Sequence, residues 1–438
     1  MRRIVSIFLA FILVIVAMPL SLVGCSESEE FVPVLRFAVA SDVHIDDNGS
    51  EVEEARLARL FEVAYRHSSE SELGYDKLDA VIFVGDYTQS GTLSSMQKFK
   101  SIVDSNIKPE TKLAVSLGNH EFYTDTDMTE SRHESVFGDS VDDHFVISGF
   151  HFIKASPYKD TFNSDKLAWL EQQLWEASND APSLPIFVMQ HHNAFGTIYG
   201  SGGWGAAGLY GVLQKYPQAV DFSGHSHFPI QDERSLWQGD FTAIGTGTVS
   251  YVEMGLNGVS DDYVFPVGRD GGYQMDHRSG ASDYGVFQIM ECDRIGNMLL
   301  TGYDITSGAR LFERRIDAPT SKKTFVTNSV KEMTTDRPEF KKGAKCEYTS
   351  MEDGSVTITV PQAVSDDYIE SYRAKIFCGG KYVGTFYALS GHIFVPIPET
   401  VNIRVTGLTQ GKKYTVKVYG VNAYGRESLF PIIFKMVP

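Results

Sequence analysis

Residues 113–121 read Leu113-Ala114-Val115-Ser116-Leu117-Gly118-Asn119-His120-Glu121. A short, mostly apolar run closed by a glycine predicts a buried strand. The Asn, His and Glu that follow are groups that bind metal ions or move protons. The same arrangement recurs along the chain. Val34–Ala40 leads into Asp42-Val43-His44, and Ala80–Val84 into Gly85-Asp86. Ile186–Met189 leads into His191-His192, and Ala219–Phe222 into Gly224-His225-Ser226-His227. Apolar runs without polar alternation belong to strands covered on both faces. Between them, Leu57, Leu60, Phe61 and Ala64 share one face of a helix, as do Leu167, Leu170, Leu174 and Ala177 behind an expected N-cap at Ser164. Strand–helix alternation predicts an α/β domain. In such sheets, ligand crevices form at the carboxyl ends of the strands, which is where every one of these polar segments lies.

Six of the chain's 12 histidines fall in those five segments. Asp, His and Asn without thiolate suit borderline-to-hard divalent ions. Ligands spaced i, i+2 on an extended segment point to one side, so Asp42 with His44, and His225 with His227, can each converge on an ion. Taken singly such motifs recur by chance; five in order, each after a strand, do not.

Composition limits the alternatives. The chain has 438 residues with 42% hydrophobic and 22% charged, a globular balance that excludes wholesale disorder and predicts two or three folded units. Its 39 Lys and Arg against 56 Asp and Glu leave a net charge of −17, which argues against a nucleic-acid-binding surface. An anionic substrate then needs a local positive feature such as a bound metal.

Residues 1–24 have a basic start, Arg2-Arg3, then an apolar run from Ile4 to Val23. This describes an export signal, with an uncleaved membrane anchor as the alternative because the run is long enough to span a bilayer. Leu22-Val23-Gly24-Cys25 resembles the lipobox of bacterial lipoproteins. That resemblance implies cleavage before Cys25, lipidation of its thiol, and anchoring to a membrane in the periplasm or at the cell surface. Residues 25–33 then read as a tether. Of the remaining cysteines, Cys346 and Cys378 are the one pair within a single domain, so at most one disulfide is expected.

The five polar segments together resemble the calcineurin-like metallophosphoesterases, over about Val34 to Ile305. The resemblance implies two packed mixed sheets flanked by helices, a four-layer α/β/β/α sandwich, and two divalent ions (Mn, Fe or Zn). Carried over by position, one ion takes Asp42, His44, bridging Asp86 and His227. The other takes Asp86, Asn119, His191 (chosen over His192) and His225. His120 faces the leaving group as the catalytic acid, and a metal-bound hydroxide attacks a phosphate mono- or diester of a small substrate. Against the charge of two divalent ions, Asp42, Asp86 and a bridging hydroxide leave about one positive charge, enough to hold a phosphate. The chain departs from two branches of the family. Where the purple acid phosphatases carry a tyrosine and the protein phosphatases an aspartate, it has Gln89, so His120 needs another orienting group. Glu121 is expected as a hydrogen-bond acceptor beside the ligands and not as a ligand.

Residues 34–317 are therefore expected to form the catalytic domain, with a hairpin at His144–Ser156 and an irregular, acidic insertion at 254–285. His67, His133, His144 and His151 are expected on the surface or in strands, Trp169 and Trp175 in packing, and Gly196–Gly208 as a loop bordering the pocket or a connector. A linker at 318–340 precedes a β-sandwich at 341–438. There, Gly407-Leu408-Thr409 with Tyr414, Val416 and Val418 resembles a fibronectin type III module, another β-sandwich being the alternative. Tyr414 would be its tyrosine corner. A surface ligand of this module is a further expected partner. The rival to an enzyme is a cell-surface binding protein that keeps the fold without turnover.

Overall fold

The structure is a computed structural model that describes residues 31–159, 161–253, 284–319, 331 and 333–438. The expected export signal, most of the expected tether including Cys25, and residues 254–283 of the expected insertion lie outside the described residues, as does most of the expected linker. Among the described residues, no helix is long and apolar enough to cross a membrane.

The first half of the α/β region runs β1 (Pro33–Ala40), α1 (Glu51–Ser69), β2 (Ala80–Val84), α2 (Leu93–Asn106), β3 (Lys112–Ser116) and α3 (Thr129–Phe137). The second runs β4 (Asp143–Ile147), β5 (Phe150–Lys154), α4 (Ser164–Asp180), β6 (Ile186–Met189), α5 (Ser201–Trp204), α6 (Ala207–Leu213), β7 (Ala219–Ser223), β8 (Leu236–Gln238) and β9 (Thr242–Gly245). Strands β10 (Val286–Asp293), β11 (Met298–Asp304) and β12 (Arg310–Ile316) return to the first sheet. Its order is β12-β11-β10-β1-β2-β3, with β1 to β3 parallel. The second sheet is ordered β4-β5-β6-β7-β9-β8, parallel from β5 to β9.

The period of two along β1 assigns its side chains to two cores. Leu35, Phe37 and Val39 enter the space between the sheets, where Phe37 meets Phe152, Phe187 and Phe222 edge-on at 5.2, 4.9 and 5.8 Å. Ala38 and Ala40 face the opposite way, onto Leu57, Leu60 and Phe61 of α1 and Phe99 of α2. On the outer face of the second sheet lie Leu170, Leu174 and Ala177 of α4 and Leu209 and Leu213 of α6. The result is four layers, helix–sheet–sheet–helix, as expected.

Several local expectations change. The N-cap of α4 is Asn163, whose Oδ1 accepts from the N–H groups of Asp165 and Lys166 at 3.1 and 3.0 Å; Ser164 is the first helical residue. Trp175 is 56% exposed and packs little. His133 lies on α3 and is fully buried, its Nδ1 3.0 Å from the Tyr87 hydroxyl. Strands β8 to β12 carry no clean apolar period. In β10, Glu291 is buried because fully buried Arg36, 255 residues away, donates to it through Nε at 2.7 Å.

The C-terminal region has seven strands: β13 (Glu347–Ser350), β14 (Val356–Pro361), β15 (Ile369–Cys378), β16 (Lys381–Leu389), β17 (Thr400–Val405), β18 (Tyr414–Asn422) and β19 (Ile432–Met436). They form antiparallel sheets ordered β13-β14-β17 and β16-β15-β18-β19. Ile358, Tyr372, Ile376, Ile403 and Val416 fill the space between them, and the Tyr414 hydroxyl accepts from the Thr409 N–H at 2.9 Å. Cys346 and Cys378 are free thiols, so the one pairing that the sequence left open in this region is not made.

Phe37 anchors the contact between the two sheets. Phe37→Ala is expected to cost about 3–5 kcal/mol, read as a lower urea midpoint with an unchanged slope.

Candidate metal centre

Parallel strands of both sheets end on the same edge, and the segments leaving them interlock. The Asp42 N–H donates to the Gly85 carbonyl at 3.1 Å and the His44 N–H to the Asp86 carbonyl at 3.0 Å, extending the β1–β2 ladder into the loops. From the other sheet, the Gly224 N–H donates to the His191 carbonyl at 3.1 Å. The His225 N–H reaches across to the Asp42 carboxylate at 3.1 Å.

Backbone conformation marks the same residues. Asp42, His44, Asp86, His225 and His227 all have left-handed φ, between 48° and 68°. For residues other than glycine that conformation is strained and persists only when the surroundings impose it. Two glycines make room for the ligands. A Cβ on Gly118 would lie 2.2 Å from Asp86 Oδ1, and one on Gly224 2.4 Å from Asp42 Oδ2.

The expected site residues come together. Asp42, His44 and His227 can offer ligand atoms to one ion; so can Asp86, His191 and His225, and so can His44, Asp86 and His120. His227 Nε2 lies 3.0 Å from Asp42 Oδ1 and 3.3 Å from His44 Nε2. His191 Nε2 lies 3.0 Å from Asp86 Oδ2 and 3.1 Å from Asn119 Oδ1. The neighbouring His192 instead packs its ring against that of His225, centroids 4.9 Å apart.

The outer nitrogens explain why these donors suit a cation. Nδ1 of His191 is 2.9 Å from the Val84 carbonyl, that of His227 2.9 Å from the Tyr251 carbonyl, and that of His44 3.1 Å from Gln89 Oε1. A carbonyl only accepts, so each Nδ1 carries hydrogen and each Nε2 turns a lone pair inward, as in metal-ligating histidines. Nε2 atoms of His44 and His227 facing each other beside two carboxylates form a donor set that fits divalent ions. Asn119 is fixed the same way: its Nδ2 donates to the Tyr123 hydroxyl at 2.9 Å, leaving Oδ1 toward the cluster.

Glu121 ties the loops together. Its buried carboxylate accepts from the N–H groups of Asp86 at 3.0 Å, Thr88 at 2.9 Å and Gly118 at 2.7 Å, and from the Thr88 hydroxyl. Burial, then the neighbouring Asp86 charge, pushes its pKa up to about 7. His120 Nδ1 lies 2.8 Å from the main-chain carbonyl of Gln89, the orienting group that the sequence left open. Its Nε2 stands at the rim of the cluster, 3.9 Å from Asp86 Oδ2. Tyr87 points away into the α3 core and has no part in the cluster. Sequence reading missed Tyr123 and Tyr251, whose rings lie 4.4 Å from His120 and 4.2 Å from His227; nothing in their local sequence marks them.

Residues 35–229 match the family described as calcineurin-like phosphoesterase. The match likens this stretch, somewhat less than half of the chain, to a calcineurin-like phosphoesterase domain. Among solved structures, the chain is similar to the purple acid phosphatase PPD1 from yellow lupin (Lupinus luteus) seeds, at 14% identity over 65% of this chain and 53% of that chain, with a TM-score of 0.45. It thus spans about half the length of that enzyme. It is also similar to PhoD, at 13% identity over 68% of this chain and 74% of that chain, with a TM-score of 0.38. No curated protein sequence matches the chain.

The Asp/His cluster has an internal charge balance. Burial opposes charging His191 and His227, but Asp86 raises the first to about 10 and Asp42 the second to about 9. Burial and neighbouring imidazoles depress His225 to about 2 and hold His44 well below its ordinary value. At neutral pH, therefore, two protons compete with a metal for the lone pairs of His191 and His227. Metal loading at pH 7 is expected to release about two protons, seen as a dependence of calorimetric heat on buffer ionisation enthalpy. Affinity should climb with pH, less steeply above about 9, where His227 loses its proton unaided, and level off above about 10, where His191 does. Gly118→Ala, by pushing a methyl into the Asp86 carboxylate, should lower metal affinity at least tenfold in equilibrium dialysis.

Proposed function

We propose that the chain is a metal-dependent phosphoesterase in which Asp42, His44, Asp86 and His227 hold one divalent ion and Asp86, Asn119, His191 and His225 hold a second. The observation that carries this reading is the convergence of inward-facing Nε2 atoms, their outer nitrogens tied to oxygens, on two buried carboxylates. When bound, two divalent ions supply a nucleophile from water and neutralise the oxygens of a phosphate mono- or diester. Mn, Fe and Zn all suit this donor set.

The chain's own residues do the rest. Asp86 lies between the two groups, its Oδ1 fixed by the His120 N–H at 2.9 Å and its Oδ2 3.0 Å from His191. His120 is held through Nδ1, so its partly exposed Nε2 is free to turn toward a departing oxygen and protonate it. Tyr123, 60% exposed, sets its ring 4.4 Å from that of His120 at a 41° tilt, at the open rim of the cluster.

The proposed setting is a membrane-anchored lipoprotein outside the cytoplasm, on the strength of Arg2-Arg3, the apolar run and Leu22-Val23-Gly24-Cys25. We read the C-terminal region as a fibronectin type III-like module. Its division of seven strands into three and four, with the Tyr414 hydroxyl tied to Thr409, supports this.

The test is hydrolysis of bis-p-nitrophenyl phosphate and p-nitrophenyl phosphate by the Mn²⁺-loaded chain. Activity is expected on at least one ester and should vanish in Asp86→Asn. His120→Asn should lower kcat by about 10²–10⁴ with metal content unchanged. A parent-like rate in Asp86→Asn would overturn the ligand assignment. Metal binding without hydrolysis of either ester would instead favour a binding protein on this fold.

A further inference from the structure

Two of the proposed ligands, His225 and His227, sit on one loop, and both have left-handed backbones. On its upstream side this loop hangs from β7 and from the Asp42 carboxylate. Its downstream side, residues 228–236, is not held by the α/β region alone. Glu370 of β15 accepts from Arg234 Nη2 at 3.1 Å, beside Asp232, which accepts from the same guanidinium at 2.6 Å. That guanidinium lies 3.6 Å above the Tyr199 ring, and Tyr199 in turn stacks on Phe228 at 3.9 Å with only 15° between the planes. Phe228 is bonded directly to His227. An unbroken stack of groups thus runs from the β-sandwich to a proposed ligand, and it includes a residue of the Gly196–Gly208 loop.

Main-chain contacts reinforce it. The Tyr368 N–H donates to Glu233, the Gln231 side chain donates to the Ile393 carbonyl at 3.3 Å, and Lys331 donates to the carbonyls of Glu233 and Leu236 at 2.7 and 2.6 Å. Around these polar links is a buried apolar cluster in which Ile230 and Val252 pack with Leu389, Ile393 and Phe394 of the sandwich. Val252 follows Tyr251, whose carbonyl faces His227 Nδ1. Both the chain leaving His227 and the segment that fixes its ring orientation therefore rest on the sandwich. By contrast, Asp42 and Asp86 are held by the strand ladder and by Glu121, which also holds Gly118 just before Asn119.

We propose that the C-terminal β-sandwich is a positioning element of the metal centre, with Glu370, Ile393 and Phe394 holding the His225–His227 loop in its ligating conformation. Strained ligand backbones persist only where surrounding contacts over-determine them, and here the sandwich supplies contacts on the downstream side of the loop. Glu370 acts through Arg234, Tyr199 and Phe228; it is a positioning residue and touches neither ion nor substrate.

The inference rests on the metal-centre reading, and its test reads metal affinity without turnover. Mn²⁺ dissociation constants would be measured by equilibrium dialysis on the full chain and on Glu370→Ala, Glu370→Gln and Phe394→Ala. The control is Val416→Ala, which opens the sandwich's own core away from the interface. Glu370→Ala and Phe394→Ala are expected to weaken at least one Mn²⁺ equivalent tenfold or more. Glu370→Gln, which keeps an acceptor for Arg234, should recover most of the loss. Val416→Ala should lower the unfolding temperature and leave both affinities at the parent value. Parent-like affinities in the interface variants would overturn the inference, as would an equal loss in Val416→Ala. A parent chain that binds no two equivalents would remove the metal-centre reading first and this inference with it.

Discussion

Five of the side chains in the Asp/His cluster are carried by residues with left-handed backbones. At about 1–3 kcal/mol each, that strain rivals the whole net stability of a typical domain. It survives because the loops carrying it are not free. The β1–β2 ladder continues past both strands through Asp42, His44 and Ile45, and the Glu121 carboxylate gathers Asp86, Thr88 and Gly118. The two-sheet core supplies the rigidity from which these loops are strained, and the strain turns side chains of both sheets toward one point.

The same convergence sets the electrostatics. Asp42 and Asp86 are fully buried, a costly position for carboxylates without counter-charge. Nearby histidines hold Asp86 well below the ordinary carboxylate range despite its burial, and Asp42 is lowered the same way. In a chain of net charge −17, this is a place where positive charge is strongly favoured. With the outer nitrogens of His44, His191 and His227 tied to oxygens, the Nε2 atoms are the ones left to a cation in the proposed reading.

The β-sandwich enters the same scheme. Its border with the α/β region combines apolar packing with a buried set of charges, Asp232, Arg234 and Glu370. Buried ion pairs add little net stability, yet they are costly to break and fix one geometry over others. An interface of that kind suits a module whose role is to hold a loop in place.

The strands that end at the site, the helices against them and every proposed ligand were legible in the sequence, because burial on both faces writes itself as unbroken apolar runs and because metal-binding residue types are rare enough to stand out at strand ends. Strands β8 to β12 were not legible, since their buried polar residues find partners far along the chain, as Glu291 does in Arg36. The same holds at smaller scale. The group that orients His120 is a main-chain carbonyl, which no side-chain pattern reports. Tyr251 faces His227 only because a later segment folds back over the cluster. Sequence by itself determined which groups could bind metal and on which kind of framework. Tertiary structure decided which lone pairs face inward, how the strained loops are held, and that the last hundred residues press on the loop of His225 and His227. Those choices depend on contacts between segments far apart in the chain, and local sequence has no means of encoding distance in space.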